Sequence, residues 1–143
     1  MDEPDNNLMH GTAVALDGWA VIFRGPSGAG KSDLALRLIH MGGLLVSDDQ
    51  IELSERGGLI YAGPPAVIGG MMEVRGIGVV KVEHQERAPV ALLVDLVSHE
   101  DVPRHPDALT EHHFGLDLPV LKLFAFEASA PDKVKIALGS LLG

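Results

Sequence analysis

The residues best suited to do chemistry begin with one uninterrupted phosphate-loop motif, G-x-x-x-x-G-K-S. Its glycines allow backbone N–H groups to converge on phosphate oxygens without interference from Cβ atoms. Lys31 is placed to reach the β- and γ-phosphates, and the Ser32 hydroxyl is placed to bind Mg²⁺. The motif predicts a nucleotide site formed by Gly25, Pro26, Ser27, Gly28, Ala29, Gly30, Lys31 and Ser32.

A second carboxylate is needed to anchor the metal of such a loop, and two positions offer one. Asp95 ends the apolar stretch 91–94, at the downstream position that many nucleoside triphosphatases use. Asp48 and Asp49 end the stretch 44–47 unusually early, but an adjacent pair can divide the work between metal-bound water and a proton. A solvated turn after a strand is the alternative for this pair. The residues alone leave the choice open.

The elements that must position these groups are indicated by apolar stretches and turn residues. Strands are predicted at residues 12–16, 19–23, 44–47, 51–53, 59–61, 71–74, 79–82, 90–97 and 120–126. Helices are predicted at 33–41 and 131–142, and residues 99–115 are predicted to form a loop with one helical turn. The pattern predicts a mixed α/β fold with many hairpins. Residues 1–9 are predicted to be a flexible tail and 10–143 a single domain.

Composition narrows the class of protein. The chain has 143 residues, no cysteine and a net charge of −9. The absence of cysteine excludes a disulfide scaffold and a cysteine nucleophile. The negative charge argues against nucleic-acid binding and against docking on anionic membranes, and no apolar stretch is long enough to span one. We therefore expect a cytoplasmic protein whose phosphate site is built locally, from backbone amides, Lys31 and a metal.

Four segments, in one order and spacing, resemble the catalytic domain of the bacterial HPr kinase/phosphorylase family. They are His10-Gly11, residues 25–32, residues 46–49 and residues 72–78, the last being the most family-specific. The resemblance implies a P-loop kinase domain related in fold to phosphoenolpyruvate carboxykinase. It also implies an enzyme that uses ATP and Mg²⁺ to phosphorylate a serine of HPr, the phosphocarrier of the sugar phosphotransferase system.

The resemblance implies a role for each residue that matches the family pattern. His10 matches a histidine near the reacting phosphoryl group, and Lys31 is the phosphate-binding lysine. Asp49 matches the general base, which accepts the proton in phosphorylation and donates it in the reverse reaction. The implied metal ligands are Ser32, Asp48 and Glu73. Asp95 then becomes the end of a core strand.

The likeness runs from about residue 10 to about residue 97 and weakens afterwards. Arg104 is the nearest candidate for the family's catalytic arginine, and Arg87 is a weaker one. The family's basic motif near the C-terminus falls at residues 118–122, where only Pro119-Val120 and one cation match. This departure weakens the expectation of the reverse phosphorylase activity more than that of the kinase activity.

Other functions remain open at this point. The same loop would serve a kinase for a small metabolite, or a nucleotide-sensing module without turnover. The histidines between 99 and 113 lack the spacing of a zinc site, so an acidic loop that meets a partner protein is the preferred interpretation. The expected partner is HPr, and a homo-oligomer is an option that the sequence does not decide.

Overall fold

The computed structural model describes residues 7–65 and 69–143, which form eleven strands, two α-helices and one 3₁₀ helix. In chain order the elements are β1 (Leu8–His10), β2 (Thr12–Leu16), β3 (Trp19–Arg24), α1 (Lys31–His40), β4 (Leu44–Ser47), β5 (Gln50–Arg56), β6 (Leu59–Gly63), β7 (Met71–Val74), β8 (Gly78–Lys81), β9 (Ala88–Leu96), the 3₁₀ helix (His99–Asp101), β10 (Leu109–His113), β11 (Leu116–Leu123) and α2 (Ala130–Leu142). No helix in these two ranges is long and apolar enough to cross a membrane.

Nine of the strands form one mixed sheet with the order β1-β5-β6-β9-β3-β2-β4. Strand β11 pairs in parallel with β9 and antiparallel with β10, and β7 and β8 form a separate hairpin. Strands β3, β9 and β11 are mutually parallel, so their carboxyl ends lie at the same edge of the sheet. Ligands of such sheets bind outside the carboxyl ends of the strands. This edge therefore positions the candidate site.

Alternate residues of the central strands face two separate hydrophobic clusters, as the two-residue period of a strand requires. Val14, Val21 and Phe23 face the cluster that contains α1 and α2. Ala13 and Ile22, their neighbours in sequence, face the cluster formed with β5 and β6. Burial on both sides therefore holds the β2–β3 hairpin, and with it the start of the phosphate loop.

Two paired chain segments, β1–β2 and β4–β5, are interrupted at the same place, which we call the corner. Strands β1 and β2 are separated only by Gly11, and strands β4 and β5 only by Asp48 and Asp49. The N–H of Gly11 donates to the carbonyl oxygen of Asp49 at 3.0 Å across this corner. A Cβ on Gly11 would lie 2.6 Å from the carbonyl oxygen of Phe23, so only glycine allows this close approach.

Most predicted elements are present, with three corrections. Strand β10 lies inside the stretch predicted as a loop, because its polar residues pair with β11 at the border of the sheet through a turn at Phe114 and Gly115. The last strand is Leu116–Leu123 instead of 120–126. Strand β1 occupies the end of the predicted tail, since Met9 packs on the β5–β6 cluster. The first six residues of that tail lie outside the described ranges.

Candidate nucleotide and phosphotransfer site

The phosphate loop connects the end of β3 directly to the first turn of α1. Gly28 has φ +88° and Gly30 has φ +102°, both in the left-handed region that favours glycine. The Lys31 ammonium donates to the carbonyl oxygens of Gly25 at 2.6 Å and Pro26 at 3.3 Å. Its positive charge is therefore held within the loop. The helix N-terminus and the backbone N–H groups add partial positive charge at the same place.

The two predicted aspartates lie at the same sheet edge as the phosphate loop. Strands β3 and β4 flank β2, and each is antiparallel to it, so β3 and β4 run in the same direction. The loop leaves β3 after Arg24, and Asp48 follows Ser47 at the end of β4. Two strand spacings amount to about 10 Å. The structure thus brings the loop and the aspartates to one edge across a single intervening strand.

Asp48 is half-buried and tied to two other elements. Its Oδ1 accepts a hydrogen bond from the hydroxyl of Thr12 at 3.1 Å, and its Oδ2 accepts one from the backbone N–H of Glu73 at 3.2 Å. Thr12 is only 1% exposed. These bonds fix the orientation of the carboxylate and still leave lone pairs on both oxygens. The sequence interpretation missed Thr12, whose only signal was its place at the start of β2.

Asp49 has φ +78° and is exposed. The Nε2 of His10 lies 3.1 Å from its Oδ1, and their side chains are 64% and 77% exposed. An ion pair this exposed contributes little to stability. The backbone of the corner, including the bond from Gly11, is therefore what brings the two side chains together. A carboxylate held in this way has a free oxygen able to accept a proton.

The Asp48 carboxylate and the Ser32 hydroxyl are oxygen donors of the kind that bind Mg²⁺. The described residues contain no group of three or more His, Asp or Glu side chains arranged to hold a metal. Mg²⁺ at nucleotide sites is usually bound by one or two protein ligands together with phosphates and water. The oriented Asp48 carboxylate and the Ser32 hydroxyl in the first turn of α1 suit that chemistry.

Comparison with known proteins identifies the family. A family model described as HPr Serine kinase C-terminal domain matches residues 4–113. The chain belongs to this family.

Individual relatives agree with that assignment. The chain is 40% identical over 79 residues to an HPr kinase/phosphorylase of Clostridium botulinum, which covers 55% of the chain and 26% of that protein. It is 34% identical over 100 residues to one of Mycoplasma genitalium, covering 65% and 32% respectively. The chain thus spans about a quarter to a third of the length of the curated relatives it matches.

A solved structure shows the same fold. The HPr(Ser) kinase/phosphatase from Coxiella burnetii superposes with a TM-score of 0.82 at 26% identity, covering 93% of this chain and 94% of that one. The mixed α/β fold predicted from the sequence is confirmed. The relation to phosphoenolpyruvate carboxykinase stays a prediction.

Within the described part of the chain, sequence reasoning missed Arg24. Its Nε donates to Asp95 at 2.8 Å, and its two terminal nitrogens donate to Glu111 at 2.7 and 3.0 Å. His113 lies 2.6 Å from the same Glu111 carboxylate. The one available signal was a cation directly before the first loop glycine. Arg24 thus joins Asp95 at the carboxyl ends of β3 and β9. The choice of the Asp48-Asp49 pair over Asp95 as the metal anchor stays a prediction.

The charges of this cluster shift two pKa values. Hydrogen bonds from Arg24 are the main cause that lowers the pKa of Glu111 to about 2. Burial lowers the pKa of Arg24, but hydrogen bonds to Glu111 and Asp95 outweigh it, and the net effect raises that pKa. The guanidinium and the Glu111 carboxylate are therefore charged near neutral pH. Together with Asp95, they bind β10 to the ends of β3 and β9.

Arg104 is exposed in the loop between the 3₁₀ helix and β10. In the described part of the chain, its side chain forms no hydrogen bond or ion pair with the other predicted site residues. Its role as the family's catalytic arginine therefore stays a prediction. Glu73 reaches the site through its backbone N–H, while its side chain is exposed on β7.

Proposed function

We propose that the chain is the catalytic domain of a cytoplasmic serine kinase that uses ATP and Mg²⁺ to phosphorylate HPr. Membership of the family supports this proposal, as do curated relatives named HPr kinase/phosphorylase. The observation that carries it is the contact between His10 and Asp49 at the sheet edge from which the phosphate loop leaves. A phosphate loop binds the phosphoryl donor and a carboxylate accepts the proton of the attacking hydroxyl, so the two together suit transfer to a hydroxyl.

The proposed reaction assigns one task to each group. Backbone N–H groups of the loop and the Lys31 ammonium bind the β- and γ-phosphates. Ser32 and Asp48 would hold Mg²⁺, with Glu73 as a further ligand, and the ion when bound neutralises charge on the phosphate oxygens. In this scheme these groups together stabilise the charge on the transferring phosphoryl group.

Asp49 acts as the general base in this scheme. Its carboxylate takes the proton from the serine hydroxyl of HPr while a bond forms between that oxygen and the γ-phosphorus. The bond from the γ-phosphorus to the bridging oxygen breaks, and ADP leaves. His10, 3.1 Å from Asp49, orients the carboxylate. In the reverse reaction, an oxygen of inorganic phosphate would attack the phosphorus of phosphoserine and form pyrophosphate. The bond to the serine oxygen would break while the protonated Asp49 returns its proton to that oxygen.

A second candidate is a kinase for a small metabolite. A cavity of about 270 Å³ lies beside the aspartates, lined in part by Asp48, Asp49, Gln50 and Pro64. Its size suits a small molecule better than a protein surface, which would instead cover the exposed Asp49 from outside. The two candidates share the loop and the base and differ only in the acceptor.

One phosphotransfer experiment separates these functions. The purified chain is incubated with labelled ATP and Mg²⁺, with HPr alone, with a set of hydroxyl-bearing metabolites, and with no acceptor. Label on a serine of HPr supports the proposal, and label only on metabolites supports the second candidate. Tight binding of ATP without transfer to any acceptor would show a nucleotide-sensing module. Incubation of phosphorylated HPr with inorganic phosphate tests the reverse reaction.

A further inference from the structure

Phe126 lies beside the phosphate loop, although the proposed chemistry does not use it. The residue follows β11 on the segment that leads to α2, and 54% of it is exposed. A Cβ built on Gly30 would lie 3.0 Å from Cζ of the Phe126 ring and 2.6 Å from Cβ of Ala125. One edge of the ring therefore packs closely on the loop, and position 30 has no room for a side chain.

Hydrogen bonds to the neighbouring backbone hold the Phe126 ring against the phosphate loop. Arg37 of α1 donates to the carbonyl oxygens of Ala125 and Glu127, the two residues that flank Phe126. It also bonds to Asp33 at 2.8 Å. The helix that begins in the phosphate loop thus fixes the backbone on both sides of Phe126. Its ring is placed by the same element that places the phosphate-binding groups.

A second aromatic ring supports Phe126. Phe124 packs edge-to-face against it, with centroids 5.8 Å apart and an interplanar angle of 72°. His99 packs edge-to-face on Phe124 at 5.5 Å. Aromatic pairs favour such arrangements, which restrict the rotation of each ring. Phe126 is therefore an exposed but supported aromatic surface.

The position of this surface matches the needs of a bound nucleotide. The phosphate loop follows β3, Phe126 follows β11, and both strands end at the same edge of the sheet. A nucleotide held by its phosphates must place its base on a surface adjoining the loop. An aromatic side chain is suited to that contact, because every base has a π face and stacking excludes water from both surfaces.

We propose that Phe126 is a stacking platform for the purine base of the nucleotide whose phosphates bind residues 25–32. The inference rests on the proposed nucleotide site and adds to it the surface that binds the base. Stacking reads the face of the base and not its hydrogen-bonding edge. Phe126 therefore increases the affinity for ATP and for GTP by similar factors. It does not change the affinity for a ligand that has phosphates but no base.

The test compares ATP with inorganic tripolyphosphate, both with Mg²⁺, by titration calorimetry on the full chain. Phe126→Ala is expected to weaken ATP binding roughly tenfold, the order expected for a stacked base, and to leave tripolyphosphate binding unchanged. Phe126→Trp is expected to retain ATP binding. Phe114, an exposed ring in the β10–β11 turn, provides the matched control, and Phe114→Ala is expected to change neither affinity.

The outcomes distinguish failure of the Phe126 proposal from failure of the proposed nucleotide site. Unchanged ATP binding by Phe126→Ala would overturn the platform and leave the nucleotide site intact. Equal loss of ATP and tripolyphosphate binding would overturn it too, because the ring would then support the loop and not the base. If the unmodified chain binds neither ligand, the proposed nucleotide site is itself wrong. Thermal unfolding of each variant shows that the fold is retained.

Discussion

His10 and Asp49 meet at 3.1 Å although 39 positions separate them and both side chains are mostly exposed. Neither side chain contributes enough burial to create this contact. It exists because β1, which ends at His10, pairs with β5, which begins directly after Asp49. The N–H of Gly11 also donates to the carbonyl oxygen of Asp49. Changes at these two side chains should therefore alter activity while leaving stability nearly unchanged.

Asp49→Asn is expected to lower phosphotransfer to HPr by about 100-fold or more, the contribution of a general base. Nucleotide binding should persist, because the loop and Asp48 remain. Transfer rates and nucleotide affinity are measured on the same preparation. Asp17→Asn is the matched control, since Asp17 is also an exposed aspartate with positive φ, located in the β2–β3 turn. Phosphate transfer by the Asp49→Asn variant at the unmodified rate would refute the assignment.

Thr12→Val tests whether the orientation of Asp48 matters for the metal. The change removes the hydroxyl donor at 3.1 Å and keeps the shape of a side chain that is 1% exposed. Loss of one such bond costs about 1 kcal/mol of stability, and outer contacts of a metal ligand are typically worth about 10- to 100-fold in affinity. The Mg²⁺ concentration at half-maximal transfer should rise accordingly. Thr12→Ser should restore it, and an unchanged Mg²⁺ dependence in the valine variant contradicts the proposed role.

Glu111→Gln tests the ion-pair cluster through its pH dependence. The pKa of Glu111 falls from 4.5 to about 2 on folding, so its stabilising effect is present above pH 4.5 and is lost as the pH falls towards 2. Such a shift corresponds to about 3 kcal/mol before screening. The side chain is 37% exposed, and solvent screening reduces this contribution to about 1 kcal/mol.

Denaturant unfolding of the unmodified chain and the Glu111→Gln variant should therefore differ near pH 7 and converge near pH 2. Glu52→Gln is the control, because Glu52 is an exposed carboxylate on β5. The Glu52→Gln substitution should change the free energy of unfolding only slightly between pH 7 and pH 2. A Glu111→Gln difference that is constant between pH 7 and pH 2 would show that the ionised carboxylate does not stabilise the fold.

Gly30→Ala and Gly28→Ala separate backbone strain from steric overlap in the phosphate loop. Both glycines have positive φ, which costs about 1–2 kcal/mol for a residue with a Cβ. Among the described atoms, a Cβ at Gly28 meets nothing within 4 Å, whereas one at Gly30 lies 2.6 Å from Cβ of Ala125. Thermal unfolding without nucleotide should show a larger loss of stability for Gly30→Ala. Equal losses of stability in the two variants would contradict the predicted steric overlap between a side chain at position 30 and Ala125.

The sequence by itself determined the parts that depend on neighbouring residues. The phosphate loop, the helix after it and the Asp48-Asp49 pair at the end of β4 were all predicted. Each follows from short-range causes: glycine at positive φ, an apolar period, or a polar residue that ends a buried strand. The family resemblance then attached roles to these positions.

Only the tertiary structure decided which distant residues meet. Arg24 binds Glu111, 87 positions away, and Phe126 packs on Gly30, which is 96 positions away. Strand β10 is too polar to be predicted from a hydrophobic pattern. It pairs with β11, which itself lies in parallel beside β9. Strand order and register are set by burial of the whole core. Contacts across the sheet edge therefore cannot be derived from local residue types.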